Sequence, residues 1–200
     1  MAIAILVRHG ESETNVRNIV SSDYNGFPLT QEGRSQAKNA ARQLFPIKVN
    51  FIATSPVQRA RETASIISAE KEISEFVDPR IVESGLGRFN NTLFHDIPRQ
   101  SRKDLGMETW ESHQERFRNV FSEVEGNWIL VSHEFPIRSA ISMFLGLDEQ
   151  ESYGLKIRYA TISVIDIEKE KVLCIGSRYL TSRVIEHINA NHNTTPGNNK

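Results

Sequence analysis

Short apolar runs recur along the chain, and each stops abruptly at polar or charged side chains. Ile3 to Val7 is the first, followed by Arg8-His9-Gly10-Glu11. With only Ala4 small, it reads as a buried strand. Val49 to Ala53, Ile73 to Val77 and Trp128 to Ser132 read as further strands from their β-branched and aromatic content. Tyr159 to Ile167 and Lys171 to Ile175 read as a hairpin turning at Glu168-Lys169-Glu170.

Helical spacing fills the stretches between. Ala37, Ala40, Ala41 and Leu44 form a narrow stripe after Thr30, a suitable N-cap, and Pro46 stops the helix. Ser55 as N-cap and Pro56 at the first helical position start a second helix, running to about Ala69. Trp110, Gln114, Phe117, Phe121 and Val124 share one face of a helix from about Glu108 to Glu125, closed by Gly126. Aromatic residues at that spacing are core rather than a ligand box. Pro136 to Leu145 is a helix closed by Gly146, and a last one spans Leu180 to Ile188. Residues 16–29 lack periodicity and read as a loop. Residues 84–107 are irregular, with three glycines, Pro98 and the basic Arg88, Arg99, Arg102 and Lys103, as expected of a lid or substrate-selecting insertion. Residues 189–200 are rich in Asn, Thr and Gly, and a disordered polar tail is expected there.

Composition narrows the class. The 200 residues suit one domain, expected over 1–188. With 24 basic and 25 acidic residues there is no global field for nucleic acid or a membrane surface. Cys174 is the sole cysteine, so neither an intrachain disulfide nor a cysteine metal cage can form. No apolar run approaches the ~18 residues of a membrane span, and the start lacks a signal-peptide layout. The expectation is a soluble cytoplasmic α/β protein, monomer or homodimer. His187 and His192 lack carboxylate or cysteine partners at ligand spacing, so no metal is expected.

The candidate chemistry sits where strands stop, which in open α/β sheets is where ligands bind. Arg8 offers a planar fork of donors suited to phosphate, and Gly10 permits close backbone approach. His9 is a general base, a metal ligand or a nucleophile, or simply a hydrogen-bonded structural histidine; the tripeptide does not decide. Arg59 lies about one turn into the second helix, from where it can reach back to the sheet mouth. Most helix arginines are solvated, and Arg61 is read that way. Glu83, near a glycine-bearing loop, is a proton donor if it faces the cluster. His133 ends another strand.

The segments RHGESETN (8–15), SPVQRARETA (55–64), IVES (81–84) and VSHEFPIR (131–138), with Leu29-Thr30, Gly33 and Gln36-Ala37, resemble the histidine phosphatase superfamily, in its phosphoglycerate mutase-like branch. The resemblance runs in order from residue 3 to about 165. It implies a three-layer α/β/α sandwich with a mostly parallel central sheet. It implies His9 as the nucleophile forming a phosphohistidine, and Arg8, Arg59 and His133 on the phosphoryl oxygens, with Asn15 as a further phosphate contact. Gly10 would accept from the His9 ring through its carbonyl, and Glu83 would be the general acid. Ser55 and Arg138 are more distant supporting candidates. Such a site needs no metal or cofactor, because fixed cations stabilise the phosphoryl charge. His9 must be neutral at one nitrogen, whereas His133 serves best as a cation.

Two departures stand out. Asn90-Asn91 replace part of a Gly-aromatic-acid-Gly segment of which Gly87 and Phe89 remain. Glu134 stands where a glycine usually follows the second histidine; its N–H can still contact phosphate, and its carboxylate is expected to point outward. The short chain leaves little material for closing the site against water, which favours a phosphomonoester phosphatase acting on a small phosphorylated metabolite. The alternatives are a 2,3-bisphosphoglycerate-dependent type of phosphoglycerate mutase and, behind it, a non-catalytic binder of phosphorylated ligands.

Overall fold

The computed structural model describes residues 2–192. A six-stranded sheet forms its middle layer. Strand β1 (Ala2–Arg8) is wholly buried and pairs in parallel with β6 (Gly126–Ser132), level at Arg8 and Ser132. Next to β6 lies β3 (Phe51–Thr54), and beyond it β4 (Glu75–Val77), both parallel. On the far side of β1, β7 (Ile162–Asp166) pairs antiparallel to β1 and β8 (Lys171–Ser177) antiparallel to β7, giving the order β4-β3-β6-β1-β7-β8. Ile3, Ile5 and Val7 face one side, against helices α2 (Gln31–Leu44), α3 (Gln58–Lys71) and α7 (Ser182–His192). Ala2, Ala4 and Leu6 face the other, against α4 (Trp110–Phe121) and α5 (Glu134–Leu145). Alternation along one strand thus feeds two cores, and the result is the expected three-layer α/β/α sandwich.

Several boundaries differ from the sequence reading, each for a local reason. Thr30 does cap α2, accepting from Gly33 N–H at 2.9 Å. Ser55 does not cap α3; Val57 holds that position, and the Ser55 hydroxyl accepts from Val57 N–H at 3.3 Å while also bonding His133 at 2.8 Å. Gly126 opens β6 rather than closing α4, which ends at Phe121; its φ of +74° turns the chain into the strand. Helix α5 begins at Glu134, earlier than Pro136, with His133 as its N-cap and Gly146 closing it in the left-handed region. Within 16–29 and 84–107, two short strands, β2 (Ile19–Val20) and β5 (Thr92–Leu93), pair and tie the two loops together. The expected tail begins too early: residues 189–192 complete α7, where Asn189 accepts from Lys48 N–H (2.8 Å) and donates to the Pro46 carbonyl (2.9 Å). The rest of that expectation lies outside the described residues. His187 also has the carboxylate that spacing along the chain did not reveal, bonding Asp166 at 2.7 Å. Among the described residues no helix is long and apolar enough to cross a membrane.

The loop after β1 is pressed onto the start of α2. Glu11 N–H donates to Gln36 Oε1 (3.0 Å), and Thr30 N–H donates back to the Glu11 carbonyl (3.0 Å). A Cβ on Gly33 would lie 1.9 Å from the Glu11 carbonyl oxygen, and one on Gly10 would lie 2.3 Å from that of Gly33. Gly33→Ala should therefore lower stability by about 1–3 kcal/mol, as overpacking does. Thermal denaturation checks this, and an unchanged midpoint would contradict the close approach.

Candidate active site

Parallel register brings the ends of β1, β3 and β6 to one rim, and four segments contribute side chains to it. His9 follows β1 and is 2% exposed. Its Nδ1 lies 2.6 Å from the Gly10 carbonyl, an acceptor only, so the proton sits on Nδ1 and Nε2 carries the lone pair. Gly10 is held in turn by its N–H donating to Thr63 Oγ1 at 3.1 Å. Arg59, in the first turn of α3, is also 2% exposed. Its Nε donates to His9 Nε2 (3.1 Å) and its Nη2 to the Ser21 carbonyl (2.9 Å). His133, fully buried, stands with its ring centroid 5.0 Å from that of His9. Ser55 accepts from Val57 N–H, so its hydroxyl proton is available for His133 Nε2, and His133 Nδ1 is left facing Glu83.

Glu83 closes the ring, its Oε2 lying 3.5 Å from His133 Nδ1 and 3.6 Å from Arg59 Nη2. Two residues that sequence reasoning missed hold its loop. Glu108 accepts from Gly85 N–H (2.9 Å) and pairs with Arg116 (2.7 Å), which itself donates to the Arg80 and Val82 carbonyls. Glu83 is thereby clamped from both sides. Thr63 and Ser21 were missed as well. Only Thr63 left a signal, one helical turn after Arg59.

The electrostatics separate the titratable groups. Burial, then the Arg59 and Arg8 guanidiniums, hold His9 well below the usual histidine range, so it is neutral. Burial and Arg59 depress His133 in the same way. The protein's own groups therefore do not favour the expected His133 cation; a proton there needs an anion nearby. Burial pushes the Glu83 carboxyl up, against the opposing pull of Arg59.

His9, Glu83 and His133 could also converge on a cation, their donor atoms lying within 4.8 Å of one another. The Arg59 guanidinium already occupies the His9 lone pair and adjoins Glu83. Two guanidiniums at the same mouth favour an anion over a metal ion.

Arg8, Arg59, Glu83 and Asn15 line a cavity of about 760 Å³ that reaches Arg99 and Arg102 of the irregular insertion. Asn15 Oδ1 accepts from the Ser12 N–H and hydroxyl, which fixes its amide at the wall. The insertion is anchored by the pair Asn90 and Asn91. Asn90 accepts from Ser22 N–H (2.8 Å), and Asn90 and Asn91 each donate to the Asp23 carboxylate (2.6 Å).

Glu134 overturns an expectation. Its carboxylate turns inward and bridges Arg8, at 2.5 Å, and Arg138. Both arginines are nearly buried, and an adjacent carboxylate satisfies them where water cannot. Its N–H, at the first position of α5, is not consumed inside the helix and remains available to an anion.

A sequence model described as the histidine phosphatase superfamily (branch 1) matches residues 4–176. The chain is 39% identical to the 2,3-bisphosphoglycerate-dependent phosphoglycerate mutase of Thermoplasma acidophilum, over 94% of this chain and 99% of that one. It is 27% identical to phosphoserine phosphatase 1 of Hydrogenobacter thermophilus, over 86% and 89% of the two chains. The crystal structure of an Entamoeba histolytica phosphoserine phosphatase in complex with 3-phosphoglyceric acid superposes with a TM-score of 0.74 at 20% identity, covering 92% of this chain and 100% of that one.

Proposed function

This chain belongs to the histidine phosphatase superfamily, branch 1, and from that premise we propose that it transfers the phosphoryl group of a small phosphorylated carboxylic acid through a phosphohistidine at His9. The observation that carries this reading is His9 Nε2, neutral, fixed by Gly10 and held against the Arg59 guanidinium. A phosphomonoester entering the cavity takes Arg59 for its own oxygens and frees the lone pair. His9 Nε2 then bonds to phosphorus as the ester P–O bond breaks, and the leaving oxygen takes its proton from Glu83. Arg8, Arg59 and His133, with the Glu134 N–H, face the equatorial oxygens. In the second half a hydroxyl attacks phosphorus, Glu83 recovers a proton from it, and His9 leaves neutral. The charge is met by groups of the chain itself, so EDTA should leave the rate unchanged.

Two acceptors for the phosphoryl group each have support. The mutase relative favours return to the other hydroxyl of the acid; because it aligns over 99% of its own length, a short chain no longer speaks against that reaction. Arg99 and Arg102 in the cavity suit the acid's carboxylate. Water as acceptor is the second reading, favoured by the relative named a phosphoserine phosphatase. Incubation with 3-phosphoglycerate decides between them. Formation of 2-phosphoglycerate, stimulated by 2,3-bisphosphoglycerate, supports the mutase, and free phosphate alone supports the phosphatase. Binding without either product would overturn the catalytic reading.

The pH profile follows from the same groups. The Glu83 carboxyl is raised, so it keeps its proton above the ordinary carboxylate range, and the rate falls as pH climbs through its value. His9 is depressed, so the loss from its protonation comes only at pH below the usual histidine range. Glu83→Gln should lower kcat with substrates having poor leaving groups far more than with p-nitrophenyl phosphate, whose leaving oxygen needs no proton. A rate that stays flat into strongly basic pH would remove Glu83 from the role.

A further inference from the structure

A second cavity, of about 450 Å³, shares Arg8, Glu134, Arg138 and Tyr153 with the first and extends away to Lys156, Arg158 and Arg178. Five cations line it against one carboxylate. Lys156, Arg158 and Arg178 are exposed and form no salt bridge with any described residue. On a chain whose basic and acidic residues nearly balance, such a local surplus is a bias toward anions.

The one carboxylate already displays the recognition. Glu134 places one oxygen on Arg8 and the other on Arg138. Neither guanidinium is free to wander. Arg8 donates to the Ile157 carbonyl (2.6 Å) and lies 4.3 Å from the Tyr159 ring centroid; Arg138 lies 5.2 Å from that of Tyr153. Two fixed forks over aromatic faces form a preorganised anion seat. Its occupant belongs to the protein, on the first turn of α5 with a side chain 37% exposed, and a rotation of that side chain opens the seat to another anion.

We propose that this cavity is a second anion seat, in which a carboxylate or phosphate group of a small ligand exchanges with the Glu134 side chain. The group is either the distal end of a substrate whose phosphoryl lies at His9, which rests on the function proposed above, or a separate anion, which does not. In both cases Glu134 acts as an internal competitor and Arg158 and Arg178 supply the rim charge.

Equilibrium binding of orthophosphate and of 3-phosphoglycerate tests this, using the intact chain, the double variant Arg158→Ala/Arg178→Ala and Glu134→Gln. The unaltered chain should bind two orthophosphates. The double variant should weaken one of them about five- to tenfold, the sum of two exposed charge contacts, and leave the other unchanged. Glu134→Gln should tighten that one more than the other. For 3-phosphoglycerate, one molecule per chain with an affinity lowered by the double variant identifies the distal group of the substrate; two molecules identify a separate anion. A single orthophosphate per chain, with both affinities indifferent to the double variant, would overturn the proposal. Two orthophosphates in a chain without turnover would keep the seat and reject the His9 chemistry instead.

Discussion

His9→Ala leaves a folded chain that turns over no phosphomonoester, with kcat lower by at least about 10⁴-fold, as when a covalent nucleophile is removed. Near His9 Nε2 the site offers no comparable substitute. His133 Nε2 is engaged by Ser55, its Nδ1 faces the mouth shared by Glu83 and the phosphoryl oxygens, and Arg59 has no lone pair to give. The imidazole itself makes few bonds to the fold: Nδ1 to the Gly10 carbonyl at 2.6 Å, and Nε2 to Arg59 Nε at 3.1 Å. The thermal midpoint should move by only a few degrees while the rate disappears. Turnover retained within tenfold would mean that water attacks phosphorus directly and that the imidazole is an electrostatic bystander.

Arg59→Met is expected to be the next most damaging change, lowering kcat/KM by about 10²–10⁴-fold, because it removes a fixed fork of donors from developing phosphoryl charge. Arg59→Lys should not restore it, since a single ammonium cannot serve the phosphoryl group and the Ser21 carbonyl together. The methionine variant also makes a signed pH prediction. Arg59 holds His9 down, so without it the histidine rises and the acid limb of the rate moves to higher pH. Arg59 also pulls Glu83 down, so without it the carboxyl rises further and the alkaline limb moves the same way. The whole profile shifts upward. Stability need not suffer, since an apolar side chain replaces a buried charge. A profile that shrinks without shifting would show that Arg59 binds substrate but does not tune its neighbours.

The parts of this site that can be read in the sequence are those announced by a strand ending. Arg8-His9-Gly10 and Ser132-His133 follow apolar runs, and parallel register makes two such ends meet. Arg59 is legible because it follows the third strand end at a helical start. The helix starts themselves are legible where the capping hydroxyl has nothing else to do, as at Thr30. Ser55 misleads, since a hydroxyl beside a proline looks like the cap, whereas the helix starts later, after Val57, and the hydroxyl also serves a distant histidine. Gly126 misleads for a related reason: its positive φ is needed, but at the entry to a strand. What cannot be read is long-range pairing of ordinary surface-type residues. Nothing along the chain says that Glu108 and Arg116 grip the loop of Glu83, or that Asp23 anchors Asn90 and Asn91. Glu134 belongs here too. Repulsion of substrate alone points its carboxylate outward, but two nearly buried arginines from separate elements pull it in.

The mechanism rests on a covalent bond between phosphorus and one nitrogen of His9. A phosphomonoester that the chain turns over, labelled with ³²P, is mixed with it for a fraction of a turnover, quenched in base and digested. The label should appear on the peptide containing residue 9, survive alkali, be lost in acid and be absent from His9→Ala. Turnover that proceeds with no label on the chain, or with label on another residue, would contradict the account.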